Sequence, residues 1–261
     1  MKQYIFAFLL ITVIAGLNKT FAEDLSPLRL LKKSKQLLLV VSADWQVSQG
    51  MMQRYARDTA HYRWVSVGTP IPVVIGKNGM AWGVNVSNAI PLSGPKKKEG
   101  DGRTPAGAYN LGLAFGFAFN PQQKIPDIKL GYFPLTAASI CVDDPTSPYY
   151  NQLLNSSSIS SWNSQTTGEN MLYAVPQYTW GIVVNYNTMH KPGAGSCIFM
   201  HVWKTPAKGT AGCIAMEQNK IINILGWLDR NKMPVIVILP KEMYVKLQST
   251  WNLPHLTGKL K

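Results

Sequence analysis

Short apolar runs separated by polar, glycine- and proline-marked breaks set the pattern of this chain. Gln36–Ser42 is a leucine and valine run that reads as a core strand. Residues 51–67 mix aromatic, apolar and charged positions in rough alternation and predict a hairpin, and residues 71–76 a further strand. Lys77-Asn78-Gly79 carries a turn signal. A basic Gly/Pro loop at 91–102 leads to a strand at 108–113. Residues 140–142 form a short apolar segment before a turn at Asp143-Asp144-Pro145. Residues 155–169 are rich in Ser and Thr without a period and read as a loop. Strands follow at 180–186, 198–203 and 233–239. One helix stands out: Ile221, Ile222, Ile224, Leu225 and Leu228 fall on one face, from near Glu217 to near Asn231. Many short strands with one or two helices predict a mainly β (α+β) domain. The chain shows no internal repeat and no second domain boundary.

The N-terminus changes the picture of where the protein works. Lys2 precedes an apolar run from Ile5 to Gly16, and Thr20-Phe21-Ala22 offers a small-x-small cleavage site before Glu23. This pattern predicts a secretory signal peptide over 1–22 and a location in the periplasm or cell envelope. The run is short for a membrane span. Lys19, lying between the run and the site, keeps an uncleaved anchor as the alternative. Residues 23–35 read as a polar lead-in and 241–261 as a C-terminal tail or helix.

Composition narrows the partners. The 261 residues are 46% hydrophobic with 8 Trp and 11 Tyr, which excludes a disordered chain. Formal charge is +13, and +11 without Lys2 and Lys19. Such a charge suits anionic surfaces. Lys96-Lys97-Lys98 is the only lysine triple, and no nucleic-acid-binding motif is present. There is no metal-binding spacing such as His-Glu-x-x-His or Cys-x-x-Cys, and no cofactor motif.

Candidate chemistry concentrates between Cys197 and Met216. An apolar strand ends at His201, a polar loop follows, and Thr210-Ala211-Gly212-Cys213 comes 12 positions after the histidine. A thiol needs deprotonation to attack, and an imidazole can take the proton. Gly212 leaves room for substrate beside the backbone. The residues alone equally allow a buried, inert cysteine. The Gly100-Asp101-Gly102-Arg103-Thr104-Pro105-Ala106-Gly107 stretch, followed by His201 and Thr210-x-Gly212-Cys213, resembles the motifs of the L,D-transpeptidase (YkuD-like) catalytic domain, in the family's order. The resemblance runs loosely from Leu38 to Pro240. It is closest to a branch with Cys-Val-Asp-Asp-Pro, here Cys141 to Pro145. Ala211 stands where the motif has histidine, and Ala215 where Arg or Asn is usual.

The resemblance implies a β-sandwich-like catalytic domain over 36–240, with the cysteine loop at one end. It implies Cys213 as nucleophile, His201 as base, and oxyanion N–H groups from Ala211, Gly212 and Cys213. The substrate it implies is the peptidoglycan stem peptide, with L,D cross-links as product. The alanines at 211 and 215 keep a hydrolase, an amidase or carboxypeptidase, and an inactive wall-binding protein as alternatives. Thr210 would hold the loop or the substrate backbone. Trp203, two positions beyond His201, points to the same strand face and would wall the pocket or join the core. Arg103 would pair a substrate carboxylate or decorate a turn. Asp143, Asp144, Tyr149, Tyr150 and Asn151 would bind a charged peptide or cap a turn. With Cys213 assigned to catalysis, Cys141 and Cys197 either form a disulfide or remain two buried thiols. A helix start a few residues after Cys213 would lower its pKa through the dipole, an effect that fades beyond the first turn, and the 155–169 loop would act as a lid or form a surface insertion far from the site.

Overall fold

A computed structural model describes residues 26–57, 62–84, 86, 93–159, 162–163 and 166–256. The segment 1–22, expected to be a signal peptide, and His61 lie outside the described residues. Thirteen strands are described: β1 (Gln36–Ser42), β2 (Gln49–Ala56), β3 (Val65–Val74), β4 (Met80–Trp82), β5 (Thr104–Gly116), β6 (Tyr132–Pro134), β7 (Ser139–Val142), β8 (Leu153–Asn155), β9 (Gly168–Asn170), β10 (Trp180–Val184), β11 (Phe199–Val202), β12 (Ile214–Met216) and β13 (Val235–Pro240). The helices are α1 (Pro27–Lys33), α2 (Gln218–Trp227) and α3 (Lys241–Leu247). The main sheet runs β10-β11-β12-β3-β2-β1-β13-β5-β4, and β10 also pairs with β5. That last pairing curls the sheet back on itself into a barrel-like β core, which leaves only the short β4 and β6, each paired to β5 alone, as edge strands. A small second sheet, β8-β7-β9, lies apart from this path.

The strands best read from sequence are the ones covered on both faces. Every residue of β1 and β13 is buried, and the two pair in parallel from Leu37↔Val235 to Ser42↔Pro240. A continuous Leu/Val/Ile run is what a doubly covered parallel pair requires. α2 and α3 contribute Ile221, Ile224, Leu225, Met243, Tyr244 and Leu247 to the same core.

Four boundaries differ from expectation, each for a local reason. Residues 65–74 form one strand, where the pattern split a hairpin arm from a second strand. β3 accommodates Gly68, Pro70 and Pro72 through a register shift opposite Met52 and Arg54. β5 begins at Thr104, so the Thr-Pro-Ala-Gly stretch is strand as well as turn. α2 stops at Trp227 rather than near Asn231. The buried Gln36 amide donates to Trp227 O at 2.7 Å and accepts from Asp229 N at 2.8 Å, satisfying the helix end, and Asp229 then caps a separate turn at Arg230–Lys232. In the lead-in segment, residues 27–33 form α1. Pro27 opens it, Leu31 is buried, and the Arg57 guanidinium binds the carbonyls of Leu31, Lys32 and Ser34 at its end. The C-terminal segment begins as α3 and buries Trp251 and Leu253.

A second, smaller apolar cluster positions the site. Phe115, Tyr178 and Phe199 stack edge to face with centroids 5.1–5.6 Å apart. Leu135, Met171, Cys141, Cys197 and Cys213 complete this cluster. It ties the small sheet to β10, β11 and β12.

Candidate active site

β11 and β12 run parallel, with His201 opposite Ala215. Side chains two apart on a strand share a face, so His201 and Phe199 lie on the Ala215 side. Cys213, two positions before Ala215, continues that row. The Phe199 N–H donates to Cys213 Sγ at 3.3 Å, and the thiol donates to Cys197 O at 3.4 Å. The sequence thus brings Cys213 and His201 to one floor through strand register rather than chain proximity. Both border a cleft of about 420 Å³.

The cysteine loop is held from below. Thr210 bridges to Gly76, with Thr210 N donating to Ile75 O and Lys77 N to Thr210 O, both at 2.8 Å. The Thr210 hydroxyl donates to Cys213 O at 2.6 Å and accepts the Gly212 N–H at 3.1 Å. The buried Thr104 hydroxyl donates to the same carbonyl at 3.2 Å and accepts from Gly76 N at 2.8 Å. Gly212 sits at φ +155, and a Cβ there would stand 3.1 Å from Arg103 O. The loop therefore requires glycine at this point.

Of the three N–H groups expected to face an oxyanion, that of Gly212 is engaged by Thr210. Those of Ala211 and Cys213 have no partner among the described residues. Ala211 is exposed at the cleft, and Trp203 borders it half-buried, its own N–H bonded to Met216 O at 2.8 Å.

His201 Nδ1 lies 2.8 Å from Val202 O, so it carries the proton and leaves Nε2 as acceptor. Tyr178 meets the ring edge-on at 5.3 Å. Burial lowers the imidazole pKa to about 4, against a smaller opposing effect of the Val202 carbonyl. Burial pushes the Cys213 thiol up to about 12; Glu169 adds to this, while the Phe199 N–H and Lys97 oppose it. No hydrogen bond joins His201 to Cys213 among the described residues. The resting pair is a neutral thiol and a neutral imidazole. β12 separates Cys213 from α2, so the thiol does not sit at that helix's first turn.

Cys141 and Cys197 form a disulfide, and Cys213 is the free cysteine. Asp143 and Glu169 border the cleft; Cys141 pairs with Glu169 across β7 and β9. Desolvation raises the Glu169 carboxyl, as does the like charge of Asp143, while the Tyr178 hydroxyl acts the other way. Glu169, Tyr178, Thr104 and Lys97 escaped the sequence reading as site residues. Thr104 had a signal in its Thr-Pro motif; Glu169 had none, being the last residue of a featureless loop.

Other singled-out residues serve the scaffold. Arg103 donates to the carbonyls of Trp45 and Met80 and to Gln46 Oε1. Asp144 accepts the Thr146 N–H and hydroxyl in a capped turn. Asn151 binds the carbonyls of Tyr186 and Asn187 and accepts the Cys197 N–H. His190 Nδ1 contacts Tyr150 O, and His255 contacts Gln248. In the loop expected to act as a lid, residues 160–161 and 164–165 lie outside the described residues; its end at Glu169 borders the cleft. Among the described residues no cluster of three or more His, Cys, Asp or Glu side chains is placed to hold a metal ion. No helix of the described residues is long and apolar enough to cross a membrane.

A family model of the L,D-transpeptidase catalytic domain, YkuD, matches residues 40–237. The chain belongs to this family. No curated protein and no solved structure matches it. The YkuD match spans β1 through β13 and takes in both the Thr104 stretch and the His201–Cys213 stretch. YkuD domains act on peptidoglycan peptides, and the protein is a peptidoglycan enzyme of the L,D-transpeptidase type.

Proposed function

We propose that this protein is an exported cysteine acyltransferase that works through a Cys213 thioester with the stem peptide. The observation that carries the reading is the shared face of β11 and β12: a free thiol and an imidazole with a bare Nε2 border one cleft. Substrate enters beside Ala211 and Gly212. His201 Nε2 takes the thiol proton as Cys213 Sγ attacks the carbonyl of the diamino acid. The tetrahedral oxyanion forms next to the Ala211 and Cys213 N–H groups. Collapse breaks the peptide bond, the released D-amino acid takes the proton from His201, and the thioester remains. An amine of a second stem then attacks the thioester, giving an L,D cross-link and the free thiol. Proton transfer accompanies attack here, because both groups rest neutral. Processing at 1–22 would deliver the domain, residues 36–240, to the periplasm, with 241–261 as its C-terminal extension.

A second reading, hydrolysis of the same thioester, draws support from Ala211. This position is exposed and small, so it leaves the cleft mouth open to water. The deciding experiment incubates purified protein with a stem tetrapeptide donor and excess amine acceptor, with product analysis by mass spectrometry. Cross-linked dimer supports transfer. Tripeptide alone at saturating acceptor favours the hydrolase. Neither product, with folded protein, favours an inactive wall-binding domain.

A further inference from the structure

The lysine triple is unequally buried. Lys96 and Lys98 are exposed, whereas Lys97 is 7% exposed. A lysine is rarely buried without a partner. Asp101 supplies one: Lys97 Nζ stands 2.5 Å from Asp101 Oδ1 and donates to Lys98 O at 2.6 Å. Asp101 is itself fixed, accepting the N–H groups of Arg103 at 2.9 Å and Lys98 at 2.8 Å. The lysine stem lies against Gly195, where a Cβ would come within 3.0 Å of Cε. An ammonium has three N–H donors, and these bonds use two. The third has no partner among the described residues, and Lys97 borders the cleft that holds Cys213. The same cation acts on the thiol to lower its pKa.

We infer that Lys97 is a carboxylate subsite that holds the terminal carboxylate of the donor peptide, on the residue released when Cys213 attacks. The inference rests on the proposed cysteine acyl chemistry. A charge-assisted bond from a pre-placed, desolvated ammonium binds a carboxylate firmly. Lys204 and Lys208 also border the cleft but are exposed, and ordering them costs side-chain entropy. Asp143 and Glu169 repel a carboxylate. Glu99, also at the cleft, is engaged by the hydroxyls of Ser196 and Tyr150. Lys97 therefore fixes where the donor terminus sits, and with it which bond meets the thiol. Donors ending one residue beyond the diamino acid are selected over internal peptide bonds.

The test measures Cys213 acylation by two tetrapeptide donors, one with a free terminal carboxylate and one with a terminal carboxamide. Wild-type protein should prefer the acid by about tenfold or more in kcat/KM, expressed mainly in KM. In Lys97→Met the preference for the acid should vanish, with acid and amide acylating Cys213 at the same kcat/KM as each other. The double variant Lys97→Met/Asp101→Asn, which removes the buried charge pair together, should behave likewise if Lys97→Met folds poorly. Lys204→Met and Lys208→Met should keep the preference. Equal use of acid and amide by the wild type overturns the subsite, as does a preference that survives in both Lys97 variants. No acylation of wild-type Cys213 by either donor overturns the cysteine reading and the subsite with it.

Discussion

Lowering the pH should weaken this protein more steeply than its His201→Phe variant. The His201 ring is buried, bound at Nδ1 to Val202 O and packed edge-on against Tyr178. Burial lowers its pKa from 6.5 to about 4. Between those values the unfolded chain binds a proton that the folded chain refuses. The stability from this residue is therefore complete above pH 6.5 and is lost as pH falls toward 4. The complete difference is on the order of 3 kcal/mol, most of which disappears between pH 7 and pH 4.5. Phenylalanine keeps a ring against Tyr178 and cannot titrate. It leaves the Val202 carbonyl without its donor, a cost of about 1–3 kcal/mol that does not change with pH. Urea unfolding at pH 7, 5.5 and 4.5 should give stabilities that converge between wild type and variant as the pH drops. Carboxylates such as Glu169 titrate in both proteins and cancel in the comparison. Parallel stability curves across this range would refute the argument, because His201 would then be freely protonated in the folded state.

Three further outcomes are expected. His201→Ala should slow Cys213 acylation by about 10²–10⁴-fold, while His190→Ala and His255→Ala, whose rings bind scaffold groups, should leave it within a few fold; stopped-flow acylation rates check this. Thr104→Val should cost about 1–3 kcal/mol in denaturant unfolding, since it strips the buried Gly76 N–H of its acceptor and the Cys213 carbonyl of one hydroxyl. Cys141→Ala/Cys197→Ala should lose about 2–5 kcal/mol, and thiol counting on denatured, unreduced wild type should find one free cysteine, not three.

What could be read from the sequence follows the physics of each element. β1, β13 and α2 declared themselves because burial on both faces, or on one helical face, demands uninterrupted apolar patterning. The ends of β3 and β5 did not, because Gly68, Pro70 and Pro105 carry turn signals that pairing overrides. α1 was hidden by its lysines, since its capping partner, Arg57, lies across β2's far end. Cys213 and His201 were legible through their motif and strand position. Glu169 and Lys97 were not: a carboxylate ending a Ser/Thr-rich loop and one lysine among three look solvated until the fold brings them to the cleft. Closure of the barrel by β10 and β5 also depends on long-range pairing that no local pattern carries.

The central claim is that the stem peptide passes through a covalent bond to Cys213. Wild-type protein mixed with a stem tetrapeptide and quenched in acid within one turnover should gain the mass of the tripeptidyl group. Digestion should place that mass on the peptide containing Cys213, and Cys213→Ala should gain none while remaining folded. Turnover of the donor by folded Cys213→Ala at the wild-type rate, or an adduct on any other residue, would contradict the account.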